Sequence, residues 1–115
     1  MTQFVLFMRG GALEFANYSP EQIQQAIQKY EDWARILIQQ GKLRGGDKLR
    51  DDGGRRVHVQ NGQVVVDGPF PETKETIGGY YLIEAADYAE AAEIAKGCPI
   101  FAAGGSVEVR EVEPR

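Results

Sequence analysis

The 115-residue sequence predicts an α+β fold, an antiparallel sheet carrying two helices on one face. Three observations carry this. Two stretches with helical period, opening at Ser19-Pro20 and at Asp87, each follow a short apolar run of strand formers. Between them, two alternating runs are joined by Asn61-Gly62. A last alternating run, 106–112, ends the order β-α-β-β(-β)-α-β, the ferredoxin-like βαββαβ arrangement.

Residues 3–9 are the first strand, ended by Gly10 and Gly11. Phe4, Leu6 and Met8 point to one face, Val5 and Phe7 to the other, so both faces are apolar. Ser19 is an N-cap, Pro20 suits the first helical position, and Gln22 completes a capping box. Ile23, Ala26, Ile27, Tyr30, Ala34, Leu37 and Ile38 then form the apolar stripe, with Trp33 on its flank and Gly41 at the C′ position. Residues 42–54, charged and Gly-rich, read as a loop with a short strand near Leu43 or Leu49. Arg56–Gln60 and Gln63–Val66 make the hairpin, and Ile77–Glu84 is a strand apolar on both faces. Asp87 with Glu90 is a second capping box, launching Ala89, Ala92, Ile94 and Ala95 into a short helix that stops at Gly97.

Composition narrows the classes. With 43% hydrophobic and 26% charged residues, the chain reads as one soluble domain over 1–115. A net charge of −4 argues against a nucleic-acid partner. The basic residues Arg44, Lys48, Arg50, Arg55 and Arg56 are interrupted by Asp47, Asp51 and Asp52, which reads as a solvated loop. No stretch reaches the roughly 18 apolar residues of a membrane span, and no secretory signal is expected. The lone cysteine, Cys98, fits a reducing cytoplasm and reads as a structural thiol more readily than as a nucleophile paired with His58, the lone histidine.

Two helices cover one face of a sheet whose first and later strands are apolar on both. A second copy of the sheet is the expected cover, giving a two-fold homodimer.

Residues 67–81, Asp-Gly-Pro-Phe-Pro-Glu-Thr-Lys-Glu-Thr-Ile-Gly-Gly-Tyr-Tyr, hold most of the candidate site groups. Asp67 reads either as a turn former, its carboxylate on backbone N–H groups, or as a general base. Pro69 and Pro71 fix the chain on either side of Phe70. Glu72 and Lys74 either bind a polar ligand or pair with each other, and Glu75 is a solvated or structural charge. Gly78 and Gly79 within a strand indicate a bulge or a close approach. Tyr80 and Tyr81 point to opposite faces, and either one of them lines an inter-subunit cavity or their rings serve aromatic core packing. Glu108 and Arg110 share a face of the last strand, where they form a ladder with Lys74 or Glu75, or Arg110 clamps a carboxylate. No Cys/His/carboxylate cluster has metal-ligand spacing, no nucleotide fingerprint is present, and no cofactor is expected.

The run Asp67-Gly68-Pro69-Phe70, Glu72, Lys74-Glu75, Gly78-Gly79-Tyr80, with the closing strand Gly105–Arg110, resembles the DGPF group of YCII-related proteins. The resemblance spans nearly the whole chain and implies a dimeric α/β barrel built from ferredoxin-like protomers. Members are mostly bacterial and cytoplasmic. One YCII-like branch is a dehalogenating enzyme with a His-Asp pair, its histidine near the end of the first strand. Here Phe7-Met8-Arg9-Gly10 occupies that place without a histidine, so the pair does not carry over and Arg9 becomes a candidate anion binder. A transcription-related role, attached to some relatives, finds little support in an acidic chain without a sigma-factor-like region.

Two functions follow. One is a cofactor-free isomerase or lyase on a small anionic substrate, with Asp67 as base, Arg9, Lys74 or Arg110 as anion clamp, and Glu72 and Tyr80 as further substrate contacts. The alternative is a non-catalytic small-molecule-binding or regulatory module.

Overall fold

The computed structural model describes residues 1–10, 17–70 and 76–115. In strand β1 (Thr2–Arg9), Phe4, Leu6 and Met8 are buried while Val5, Phe7 and Arg9 are half-buried on the opposite face. Helix α1 (Pro20–Gln39) begins at the capping box, where Ser19 Oγ accepts from Gln22 N (3.2 Å) and Ser19 N donates to Gln22 Oε1 (2.8 Å). It ends at Gly41, whose φ of +71° lets Gly41 N donate to Ile38 O (3.0 Å) and Lys42 N to Leu37 O (2.9 Å).

The line of α1 that packs on the core is Tyr30, Trp33 and Leu37, with Trp33 and Leu37 buried. This corrects the expected stripe, since Trp33 is central and Ile23, Ile27 and Ile38 are exposed. Apolar residues cover a wide arc of this helix, so periodicity alone leaves the contact line open. The indole decides it by meeting the Tyr81 ring edge-on, with centroids 5.1 Å apart at 86°.

Strand β2 (Leu43–Lys48) pairs antiparallel with β5 (Ile77–Ala85). The short strand expected near Leu43 or Leu49 therefore runs from Leu43 to Lys48, and the rest of 42–54 stays outside the sheet apart from the Gly53 bridge. The sequence of β2, Leu-Arg-Gly-Gly-Asp-Lys, has little strand propensity, and the pairing overrides it. Gly46 is needed there, because a Cβ would stand 2.6 Å from Tyr80 O and 2.7 Å from Tyr81 Cδ1. Strands β3 (Arg56–Gln60) and β4 (Gln63–Asp67) form the expected hairpin, with Asn61 (φ +52°) and Gly62 (φ +77°) as its turn.

Helix α2 (Tyr88–Lys96) is capped by Asp87 Oδ1, which accepts from Glu90 N at 2.9 Å. The Glu90 carboxylate turns to Lys42 Nζ (3.4 Å), so the second half of that capping box is replaced by an ion pair. Ala91 and Ala95 form its buried face. A 3₁₀ turn (Pro99–Ala103) leads into β6 (Ser106–Glu111).

Among the described residues the main sheet runs β2-β5-β1-β6, antiparallel throughout, and β3-β4 forms a second, two-stranded sheet. The units β1-α1-β2 and β5-α2-β6 interleave as in a ferredoxin-like fold, and the hairpin is an insertion between them. The core lies between sheet and helices. Phe4, Leu6 and Ile83 are its fully buried large side chains, each worth roughly 1.5–3 kcal/mol. Cys98 is buried there, with Sγ 3.6 Å from Met8 Sδ. Among the described residues no helix is long and apolar enough to cross a membrane.

Trp33→Ala should cost about 3–5 kcal/mol in urea unfolding, against less than about 1 kcal/mol for the exposed Ile38→Ala. Burial pushes the Cys98 thiol from 9.0 up to about 11 and raises the nearby Tyr30 and Tyr81 hydroxyls. Their contribution to stability is full below the unfolded pKa values and is lost as pH rises, because the unfolded chain releases those protons first. The melting temperature should fall between about pH 9 and pH 11, and less steeply in Cys98→Ala.

Candidate functional site

The face of the main sheet turned away from the helices carries an apolar centre inside a charged rim. Register sets it. Val5 pairs with Leu82 and Phe7 with Tyr80 across β1 and β5, while Val5 and Phe7 pair with Arg110 and Glu108 across β1 and β6. Residues paired this way share a face, so Val5, Phe7, Leu82, Tyr80, Glu108 and Arg110 lie together, with Arg9 opposite Ser106. On the β2 side, Tyr80 Oη donates to Asp47 Oδ2 (2.7 Å) and Arg44 Nη2 pairs with Glu84 Oε2 (2.6 Å). On the β6 side, Glu108 is shared by Arg9 Nη2 (3.7 Å) and Arg110 Nη1 (3.3 Å). The hydrogen bond to Asp47 holds the Tyr80 hydroxyl protonated above its usual range, and the Arg44 guanidinium pulls the Glu84 carboxyl below its own.

The hairpin carries the second group. In its register Arg56 pairs with Asp67 and His58 with Val65, which places His58 and Asp67 as diagonal neighbours on one face. His58 Nε2 is hydrogen-bonded to Asp67 Oδ2. The Asp67 carboxylate thus meets an imidazole as well as ending a strand. At the base of the hairpin, Phe70 N donates to Gly53 O (3.2 Å).

The structure brings Arg9, Tyr80 and Arg110 to one sheet face and puts Asp67 on the other sheet. Glu72 and Lys74 lie outside the described residues, as do Pro71 and Glu75. Tyr80 and Tyr81 do point oppositely, and Gly78 is the bulge, because Met8 pairs with Gly79 and Arg9 with Ile77. The ladder at Glu108 and Arg110 is built with Arg9 of β1, the strand that pairs with β6. His58 and Asp47 were missed. The Asn-Gly turn implies the hairpin register and hence the His58–Asp67 diagonal; nothing in the sequence points from Asp47 to Tyr80.

A groove of about 170 Å³ lies elsewhere, between α1 and the 3₁₀ turn, lined by Tyr18, Gln22, Lys29, Tyr30 and Pro99 among others. It is below the ~300 Å³ at which small-molecule pockets begin. Among the described residues no group of three or more His, Cys, Asp or Glu side chains is placed to hold a metal ion.

The fold agrees with what comparison finds. The chain belongs to the YCII-related family, whose domain model matches residues 4–115. An uncharacterized protein of Rhizobium meliloti is 46% identical over 39 residues, which are 34% of this chain and 32% of that one. This chain therefore matches about a third of that curated relative's length. Among solved structures, the 5-chloro-2-hydroxyhydroquinone dehydrochlorinase of Burkholderia phenoliruptrix, in complex with 2,5-dihydroxybenzoquinone, superposes with a TM-score of 0.50 at 16% identity. That alignment covers 98% of this chain and 95% of the other, and it shows the shared fold.

Asp47→Asn should bring the Tyr80 hydroxyl down toward its ordinary value of 10.0, because the carboxylate that favours the neutral phenol is gone. Ultraviolet titration of phenolate absorbance, differenced against Tyr80→Phe, reads the shift.

Proposed function

We propose that this protein is a cofactor-free enzyme of the isomerase or lyase type, acting on a small anionic substrate as a homodimer. The observation that carries the reading is the His58–Asp67 hydrogen bond. A carboxylate that accepts from Nε2–H leaves the His58 lone pair on Nδ1 and holds the ring in that tautomer and orientation. His58 then removes a proton from an acidic C–H or O–H group. The electron pair left behind forms a new π bond as an anionic leaving group departs, or is reprotonated at a neighbouring atom. Asp67 positions the base in this scheme.

Arg9 and Arg110 are the anion clamp, since a guanidinium fork matches two oxygens of a carboxylate or enolate. Tyr80 offers a ring face and a hydroxyl, and Glu72 and Lys74 complete the substrate contacts. Dehydrochlorination, the reaction named for the structural neighbour, is of this class, with a proton and an anion both lost. The dimer reading rests on Val5, Phe7 and Leu82, half-exposed at the centre of the open face. A second sheet over them would make the dimeric α/β barrel expected of the DGPF group, with one domain over 1–115 in each copy. The unpaired Cys98 accords with a cytoplasmic setting.

A second reading, a non-catalytic binding or regulatory module, is favoured by one observation. Within a chain the dyad and the Arg9–Tyr80–Arg110 group lie on different sheets.

Incubation with hydroxylated and chlorinated quinones and small aromatic carboxylates, followed by proton NMR and thermal shift, separates the two. Turnover that falls at least ~100-fold in both His58→Gln and Asp67→Asn, with melting temperatures near wild type, supports the enzyme. A compound that raises the melting temperature and is recovered unchanged supports the binding module. If Asp67→Asn melts the protein, Asp67 is a turn residue first.

A further inference from the structure

The β3-β4 hairpin has two unlike faces. One bears His58 and Asp67. On the other, Val57 faces Val66 and Val59 faces Val64, four β-branched side chains that are 62–72% exposed. A two-stranded hairpin is marginal in water by itself and gains stability when an apolar face is packed. Here the apolar face is turned to solvent.

The dimensions of the chain say how much surface awaits a cover. Its radius of gyration is 16.0 Å, against about 13 Å for a compact chain of this length. Its accessible surface is 7973 Å², roughly 1,700 Å² above that of a compact monomer of the same mass. That excess is about twice the ~800 Å² each partner contributes to a standard interface, and it suits an obligate dimer.

We propose that the valine face of β3-β4 is an arm that docks on a second copy of this chain. The proposal rests on the homodimer reading above and adds a contact to it. A second copy is the occupant the observations favour, for two reasons. The surplus area is of dimer size, and both uncovered apolar surfaces, the Val5–Phe7–Leu82 face and the valine array, belong to the same chain. Within the paired residues 56–60 and 63–67, the valine face carries no charged side chain to be desolvated. Docking by the valines turns the His58–Asp67 face away from the contact, so the arm is ordered by its partner while the dyad stays open to substrate.

Sedimentation velocity of the full chain, over a dilution series around 10 μM, tests this. Val59→Lys/Val64→Glu places an opposite-charge pair across the hairpin, which preserves the pairing but must be desolvated in a contact. Wild type should sediment as a dimer, and this variant should dissociate at least ~100-fold more readily with an unchanged far-ultraviolet circular dichroism spectrum. Val59→Thr/Val64→Thr keeps the shape, loses apolar surface and should weaken the dimer about 10-fold; it decides the matter if the charged variant fails to fold. A dimer equally tight in wild type and in the folded variants overturns the arm and leaves the sheet-to-sheet dimer standing. A monomeric wild type overturns both.

Discussion

A sheet has two faces, and among the described residues this chain supplies helices for only one of them. On the covered side, Phe4, Leu6 and Ile83 are sealed beneath α1, α2 and the 3₁₀ turn. On the other side, the same two central strands present Val5, Phe7 and Leu82, half-buried, and among the described residues no helix is laid across them. Strand alternation makes the two sets inseparable: β1 cannot bury its even residues without presenting its odd ones. Everything else of functional interest follows from that asymmetry. The open face gathers the charged and aromatic groups, and it is the surface on which the proposed second copy would sit.

The rim of that face is organised by shared partners. Glu108 stands between Arg9 and Arg110, and Asp47 holds Tyr80. Exposed ion pairs of this kind contribute little stability. Their consequence is geometric, since each restrains a side chain over the apolar centre. The hairpin, inserted between the two βαβ units, adds an imidazole–carboxylate pair that the main sheet does not contain. Catalytic work in the proposed enzyme would thus draw on two sheets, which is why assembly and chemistry are coupled in this reading.

Where local chemistry specifies the answer, the sequence was legible. Ser19-Pro20-Glu21-Gln22 became a complete capping box, Gly41 took the left-handed C′ position, and Asn61-Gly62 closed the hairpin. The bulge at Gly78 was readable from glycines inside a strand, and the opposed Tyr80 and Tyr81 from the period-two alternation of strands. Strand β2 was readable only as a short strand near Leu43 or Leu49, not in its extent. Two glycines and three charges suppress its propensity, and only pairing with β5 makes it a strand. Trp33 was misplaced because a wide apolar arc allows several contact lines, and the choice among them belongs to the sheet.

The residues alone therefore determined the element order, the caps, the turn and the doubly apolar strands from which a second copy was expected. Each depends on contacts between residues close in sequence or on strict alternation. Only the tertiary structure decided that Tyr80 meets Asp47 across 33 positions, that Glu108 is shared by Arg9, and that His58 and Asp67 meet. The first two require strands distant in the chain to become neighbours in register, which is a property of the whole sheet. The third could have been worked out from a two-residue turn, but the bond itself needed side chains placed in space.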